Sequence, residues 1–439
     1  MTTSARVFKT ALGAAAVFGV LATGISSATA TTADGPAAEG AAGELTVVPA
    51  GQGLPLGDAD LAETRTDRTL ARGVTLTRIV RGTEPAPADQ INTTTRGPWV
   101  VNVLTIDPRI ADGRLQATYG PDLARVEKTS DLVKSAGALA GVNASFFTFT
   151  ANPQYPGEQV GLGLFDGKLL SEPLTDPTEA NLVIDANSNK VVTGHLRWTG
   201  AVRNRLTGAE LPLEFINHPP VVPTACATLP DQTTCTVAGD LVRFTPAFGA
   251  ATPSGAGAEV VLDRRGCVVR TSNTRGTTLS ASQTSLQATG KETAALLSLA
   301  KGCLRTDLTV SNENGQQVAL HKGLYGVTGR YQLTKNGEIV VPAGTGSFFA
   351  RNPRTIAGTT RGGKIVLATL DGRQTTSVGT TMDETAAVAK ALGMYDGINL
   401  DGGGSTAMAL GDGTVVNRPS GTNGAERAVG DAVVFVPGR

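Results

Sequence analysis

Four dipeptides, Asp166-Gly167, Asn336-Gly337, Gly362-Gly363 and Asp412-Gly413, each interrupt a run of β-forming residues, and they constrain the fold more than any other feature. Such two-residue turns join neighbouring antiparallel strands, so antiparallel pairing must be common. The 54 glycines and the many Thr and Val residues favour strands and tight turns over a helical bundle. Residues 45–48, 73–80 and 98–106 read as strands. Helices are few. Thr129 or Ser130 caps one that carries Leu132, Ala136 and Leu139 on one face and ends at Gly141. Thr381-Met382-Asp383-Glu384 has the capping-box pattern ahead of Thr385, Val388, Ala391 and Leu392, and residues 292–301 form a third helix. The expected class is α+β (mixed α/β), with mixed, largely antiparallel sheets and a few packed helices. No fixed-period repeat is present.

The start of the chain bears on its destination. Arg6 and Lys9 precede an uncharged run from Thr10 to Ile25, and Ala28-Thr29-Ala30 offers small residues for cleavage, the layout of a secretory signal peptide over residues 1–30. Residues 31–43 have no apolar period and read as a disordered linker. No later segment is long and apolar enough to span a bilayer, so a secreted protein without stable membrane insertion is expected. Lys plus Arg and Asp plus Glu both number 38. This balance argues against nucleic-acid binding driven by a strongly basic surface, though not against a local basic pocket. Cys226, Cys235, Cys267 and Cys303 fit two disulfides in an oxidising compartment. Of the three possible connectivities, Cys226–Cys235 and Cys267–Cys303 are favoured, because each pair brackets one segment. A zinc site is disfavoured, since no C-x-x-C occurs and His195, His218 and His321 are scattered.

Chemistry concentrates near the C-terminus. The apolar run Gly397-Ile398-Asn399-Leu400 delivers Asp401 into Gly402-Gly403-Gly404-Ser405-Thr406. A carboxylate at the end of a buried strand, followed by backbone free of side chains, suits close approach to a ligand. Successive amides in such a turn can converge on an anion, and Ser405 and Thr406 add hydroxyls. The rival reading is a sharp turn alone. Val142-Asn143-Ala144-Ser145-Phe146-Phe147 likewise follows a helix. If the two strands are neighbours, Asn143 and Asp401 emerge at one sheet edge, with Phe146 and Phe147 as walls. Asn143-Ala144-Ser145 is also a glycosylation sequon by pattern.

Four segments, Gly141–Phe147, Asn352–Gly358, Asn399–Thr406 and Glu426–Val429, resemble in that order the phosphodiester glycosidase family. The resemblance implies a domain over residues 141–437, with residues 44–140 as a β-rich N-terminal part of the same catalytic unit. It implies cleavage of a sugar from a phosphodiester, as in removal of N-acetylglucosamine from mannose 6-phosphate. Ala144-Ser145 stands where many relatives have two glycines, and residues 224–240 are a cysteine-bearing insertion. The expected substrate is a carbohydrate phosphodiester, such as a cell-wall or exopolysaccharide sugar phosphate.

A departing phosphate monoester has a second pKa near about 6 and leaves far more readily than an alcohol, so phosphate recognition replaces part of a general acid's work. Arg354 and Arg427 are the expected bidentate phosphate binders, with the turn from Gly402 through Gly403 and Gly404 to Ser405 and Thr406 adding donors and Asn143 completing the site. Asp401 is assigned as nucleophile or general base and Glu426 as the second catalytic carboxylate. Glu384 is a further carboxylate whose simpler role is its capping box. No cofactor is required, although Asp and Asn oxygens also suit calcium. Two other classes compete: a non-catalytic glycan-phosphate binding module, and a serine hydrolase using Ser405, which lacks the G-x-S-x-G elbow.

Overall fold

The computed structural model describes residues 43–438. The expected signal peptide and nearly all of the expected linker lie outside the described residues. Each of the four turn dipeptides reverses the chain as its sequence requires. Asp166 and Gly167 have φ of 51° and 79°, and Asn336 and Gly337 have 54° and 82°, the double positive φ of a tight hairpin turn.

The largest sheet has nine strands, all paired antiparallel. Its order is Glu44–Val48, Glu63–Ala71, Val74–Arg81, Trp99–Ile106, Ile365–Leu370, Arg354–Thr360, Met394–Asn399, Gln332–Lys335 and Glu338–Ile339. Its central strands are nearly continuous in apolar residues because both faces are covered. Leu76, Leu104, Leu367, Ala357 and Ile398 pack on one face against Val142, Val433 and Phe435 of a four-stranded sheet and Leu182 and Val327 of a five-stranded one. On the other face Val101, Val103, Ile356 and Val366 meet Met382, Ala386 and Ala389. A second five-stranded sheet, built around Ala238–Phe244 and Thr284–Gly290, has its own core of Leu241, Val260, Leu286 and Leu296.

Helices are fewer and shorter than the expected class implies. Among the described residues there are 28 strands and only three α-helices: α1 (Thr129–Ser135), α2 (Glu292–Leu299) and α3 (Met382–Ala391). The chain is therefore mainly β, a correction to α+β. The physical reason is that strands supply nearly all the core, while helices cover only edges and one face. Helix α1 also ends earlier than expected. Gly137, at φ 61°, breaks it, and Gly141 is already inside the strand Ala140–Asn143.

The strand arrangement around Asn143 and Asp401 also differs from expectation. Ala140–Asn143 pairs with Met408–Leu410 and Asp431–Pro437 in the four-stranded sheet, whereas Met394–Asn399 lies in the nine-stranded one. The two strands are not sheet neighbours. They face each other across the shared core.

Both disulfides join the expected pairs, Cys226–Cys235 and Cys267–Cys303. The first closes the insertion into two short 3-10 turns. No described helix is long and apolar enough to cross a membrane. The α3 capping box is complete: Thr381 Oγ1 accepts from the Glu384 amide at 3.1 Å, and Glu384 Oε2 accepts from the Thr381 amide at 2.9 Å. Thr381→Ala is expected to destabilise the fold by about 1 kcal/mol, read as a lower urea midpoint at unchanged slope.

Candidate active site

Asp401 is placed by backbone and by Asn143. The Leu400 amide donates to Thr355 O and the Asp401 amide to Ala144 O, both at 2.9 Å. Asn143 is fully buried between the sheets. Its Nδ2 donates to Asp401 O at 2.6 Å, while its Oδ1 accepts from Thr355 Oγ1 at 2.7 Å and the Ala407 amide at 3.1 Å. With these bonds made, both acceptor positions of the Asn143 oxygen and one of its two N–H donors are committed inside the protein. Asn143 holds the Asp401 peptide from a buried place between the sheets, whereas the sequence reading expects it to bind substrate, and its sequon is buried in the folded protein.

The glycine turn also works differently from expectation. The Gly402 amide donates to Asp401 Oδ1 at 2.9 Å, Gly403 to Pro353 O at 2.9 Å, Ser405 to Gly402 O at 3.2 Å and Thr406 to Gly403 O at 3.3 Å. These amides are consumed inside the protein and do not converge on an anion. The missing side chains instead admit two arginines. Gly403 sits at φ 61°, and a Cβ there would lie 3.2 Å from Arg373 Nη2; a Cβ on Gly404 would collide with the Arg427 guanidinium. The Ser405 and Thr406 side chains are buried, and their hydroxyls make no well-formed hydrogen bond among the described residues. Ser405 lies close enough to favour the ionised Asp401. None of the three histidines bonds to Ser405, so a Ser-His pairing has no geometric support.

Charge at the site comes from arginines that sequence motifs only partly identify. Arg427 stacks 4.7 Å over the Phe149 ring and forms no ion pair among the described residues, while its field favours ionised Asp401. Arg373 is solvent-accessible, and its Nη2 donates to Asn352 Oδ1 at 2.7 Å. It was not identifiable from sequence: Asp371-Gly372-Arg373 has no motif, and only the turn signal marks it. Arg354 is different. Its Nη2 donates to Phe348 O at 2.6 Å and Ala350 O at 2.9 Å, and its ring-facing side lies 5.5 Å over Phe348. Burial lowers its pKa to about 10. Arg354 therefore holds the 348–350 loop through two carbonyls. Phe146 and Phe147 are both half-buried. Phe146 lies beneath Arg330 at 5.2 Å and beside Phe348 at 6.1 Å, and Phe147 lies 5.8 Å from Phe149.

Neither expected second carboxylate reaches Asp401. Glu426 turns to α1, where it accepts from the Ser130 amide at 2.8 Å and Ser130 Oγ at 2.6 Å. This contact anchors Glu426 to α1, whereas the sequence reading expects it to be the second catalytic carboxylate. Glu384 caps α3 and pairs with Arg351 at 3.0 Å. The carboxylate that does act on Asp401 is Asp431, which is buried and accepts from the Ser145 amide at 2.6 Å, Ser145 Oγ at 2.7 Å and Gln159 Nε2 at 2.7 Å. Burial pushes Asp401 up to about 6, and Asp431 adds to the rise, against Ser405, the Gly402 amide and Arg427. Asp431 is itself raised to about 6 by burial. Among the described residues no three His, Cys, Asp or Glu side chains are grouped to hold a metal ion.

Glu426→Gln is expected to keep at least about half of wild-type turnover and to cost about 1 kcal/mol of stability, since only an anchoring hydrogen bond weakens. Parallel activity and denaturation measurements check it.

Residues 256–436 match the family model described as phosphodiester glycosidase, and three of the four sequence motifs fall inside that match. No curated protein matches the chain. Among solved structures, a candidate exported protein from Burkholderia pseudomallei K96243 is 27% identical with a TM-score of 0.74, covering 89% of this chain and 100% of that one. A hypothetical protein from Synechocystis is 19% identical with a TM-score of 0.64, covering 84% of this chain and 63% of that one, and shares the fold. The catalytic domain of zebrafish N-acetylglucosamine-1-phosphodiester α-N-acetylglucosaminidase, auto-inhibited by its pro-peptide, is 12% identical with a TM-score of 0.40, covering 89% of this chain and 87% of that one, a similarity too loose to support inference. The motifs read from the sequence and the family match over residues 256–436 agree: this part of the chain is recognised as phosphodiester glycosidase-like.

Proposed function

We propose that the protein is a secreted hydrolase that cleaves the sugar C1–O bond of a glycosyl phosphodiester, releasing free sugar and a phosphate monoester. The observation that carries this reading is a partly exposed carboxylate, Asp401, leading into a glycine turn against which lie two guanidiniums, Arg373 at Gly403 and Arg427 at Gly404, neither in an ion pair among the described residues. Guanidinium forks match phosphate oxygens, and charge that develops on the departing phosphate is stabilised in place. Asp401 then attacks the anomeric carbon or activates water. The fixed peptide of Asp401 limits its motion during that step. Phe146 offers an apolar wall for the sugar ring. Secretion is supported by the two disulfides and by the similarity to a candidate exported protein. The substrate we favour is a cell-wall or exopolysaccharide sugar phosphate.

Asp401 must be ionised to act, so kcat/KM on a sugar-1-phosphodiester is expected to rise with pH through about 6 and then level. Asp401→Asn is expected to lower turnover at least about a thousandfold. Because the folded pKa is raised, wild-type stability falls as pH climbs from the unfolded carboxylate value through about 6. The variant is therefore expected to be more stable than wild type at pH 8 by about 1–2 kcal/mol, and equal to it below about pH 4. Normal turnover in Asp401→Asn would sink the assignment. Arg373→Gln is expected to raise KM about tenfold or more for the phosphodiester while leaving binding of the free sugar unchanged.

A further inference from the structure

Well away in sequence from Asp401, the sheet built on Ala238–Phe244 and Thr284–Gly290 borders a cavity of about 620 Å³. Five arginines line it, Arg205, Arg243, Arg264, Arg265 and Arg305, against one carboxylate, Asp263. In a chain whose 38 basic and 38 acidic residues cancel, such a concentration needs a reason. Asp263 offsets only one of these charges, and it forms no ion pair among the described residues: its Oδ1 accepts from the amides of Arg265 and Cys267, each at 2.8 Å, and so shapes the turn. Arg305 is paired with Asp307 at 2.9 Å. The other four form no ion pair among the described residues.

Arg243 is the telling member. It projects from the strand Ala238–Phe244, and burial lowers its pKa with no carboxylate offsetting the effect. Arg243 is half-buried, and a guanidinium partly withdrawn from water without an ion pair is costly to a fold unless an anion reaches it. The arginine-bearing segments are also tied to one another. The Cys267–Cys303 disulfide joins the 263–267 turn to the strand Leu304–Asn312; the Leu304 amide donates to Gly266 O at 2.8 Å and the Arg205 amide to Cys303 O at 3.0 Å. The guanidiniums are therefore carried on a cross-linked frame, which lowers the ordering cost of binding.

The remaining lining narrows the ligand. Ser282, Gln283, Thr284 and Thr306 supply hydrogen-bonding groups, and the apolar lining is aliphatic: Pro246, Leu262, Ala281 and Leu304. No aromatic side chain lines the cavity, so the stacking platform that single-stranded nucleic acids use is missing. Its volume lies in the range of small-molecule sites, and paired guanidiniums fit phosphate oxygens. We infer that this cavity binds a phosphorylated carbohydrate of one or two sugar units, at a site separate from Asp401. The inference does not require hydrolysis at Asp401.

The test is calorimetric titration of glucose 6-phosphate into the full chain carrying Arg373→Gln and Arg427→Gln, which disables the phosphate groups beside Asp401. Saturable binding is expected. Adding Arg243→Gln is expected to weaken it about tenfold or more, and adding the exposed pair Arg264→Gln and Arg265→Gln about fivefold, with an unchanged melting temperature in the latter. The exposed pair keeps the test meaningful if Arg243→Gln fails to fold. Absence of saturable binding at millimolar ligand, or unchanged affinity in the exposed pair, would overturn the inference. So would equal affinity for inorganic phosphate, or tighter binding of an oligothymidylate. Absence of sugar release from any sugar-1-phosphodiester by the natural chain, with this binding intact, would count against the Asp401 reading alone.

Discussion

The site depends on one buried amide. Asn143, from the four-stranded sheet, holds Asp401 O, Thr355 Oγ1 and the Ala407 amide together, and so joins two sheets that share no ladder. Each of these bonds is made where water is excluded, so losing one leaves a desolvated group unpaired at about 1–3 kcal/mol. The carboxylate of Asp401 inherits its position from that junction. Its raised pKa comes from the same enclosure, opposed by Arg427 and reinforced by Asp431.

Glycine and arginine then divide the work around it. In the Gly402–Gly404 turn the Gly402 and Gly403 amides bond Asp401 Oδ1 and Pro353 O, and what the glycines contribute is room. Arg373 and Arg427 lie against backbone where any side chain would stand. Their charges stay unneutralised because the nearby acids are engaged elsewhere: Glu426 at α1, Glu384 at α3 and Arg351, Asp431 at Ser145 and Gln159. A neutral total charge thus conceals strong local separation, and the arginine-lined cavity of the second five-stranded sheet repeats that pattern.

Much of this was legible in the sequence wherever the signal was local. Turn dipeptides, the Thr381 capping box and the strand leading into Asp401 are each decided by a few adjacent residues, and each took the expected form. What sequence could not supply was the partner of a side chain far along the chain. Asn143 and Glu426 are polar residues in suggestive surroundings, yet their bonds go to Asp401 and Ser130, more than 250 residues away in each case. Arg354 lies within a motif but spends its donors on loop carbonyls, while Arg373, outside every motif, faces the site. The fold class was misjudged for a related reason: helical periodicity is conspicuous in sequence even when strands supply the core.

The burial of Asn143 has a practical consequence for making the protein. Asn143-Ala144-Ser145 is an acceptor sequon, and oligosaccharide transfer in a eukaryotic secretory pathway acts on the nascent chain before the two sheets close over it. A glycan attached there would occupy the nitrogen that must reach Asp401 O and would wedge the sheets apart. Yeast or mammalian secretion is thus a poor choice of host, whereas a bacterial periplasm both spares the asparagine and permits the two disulfides to form.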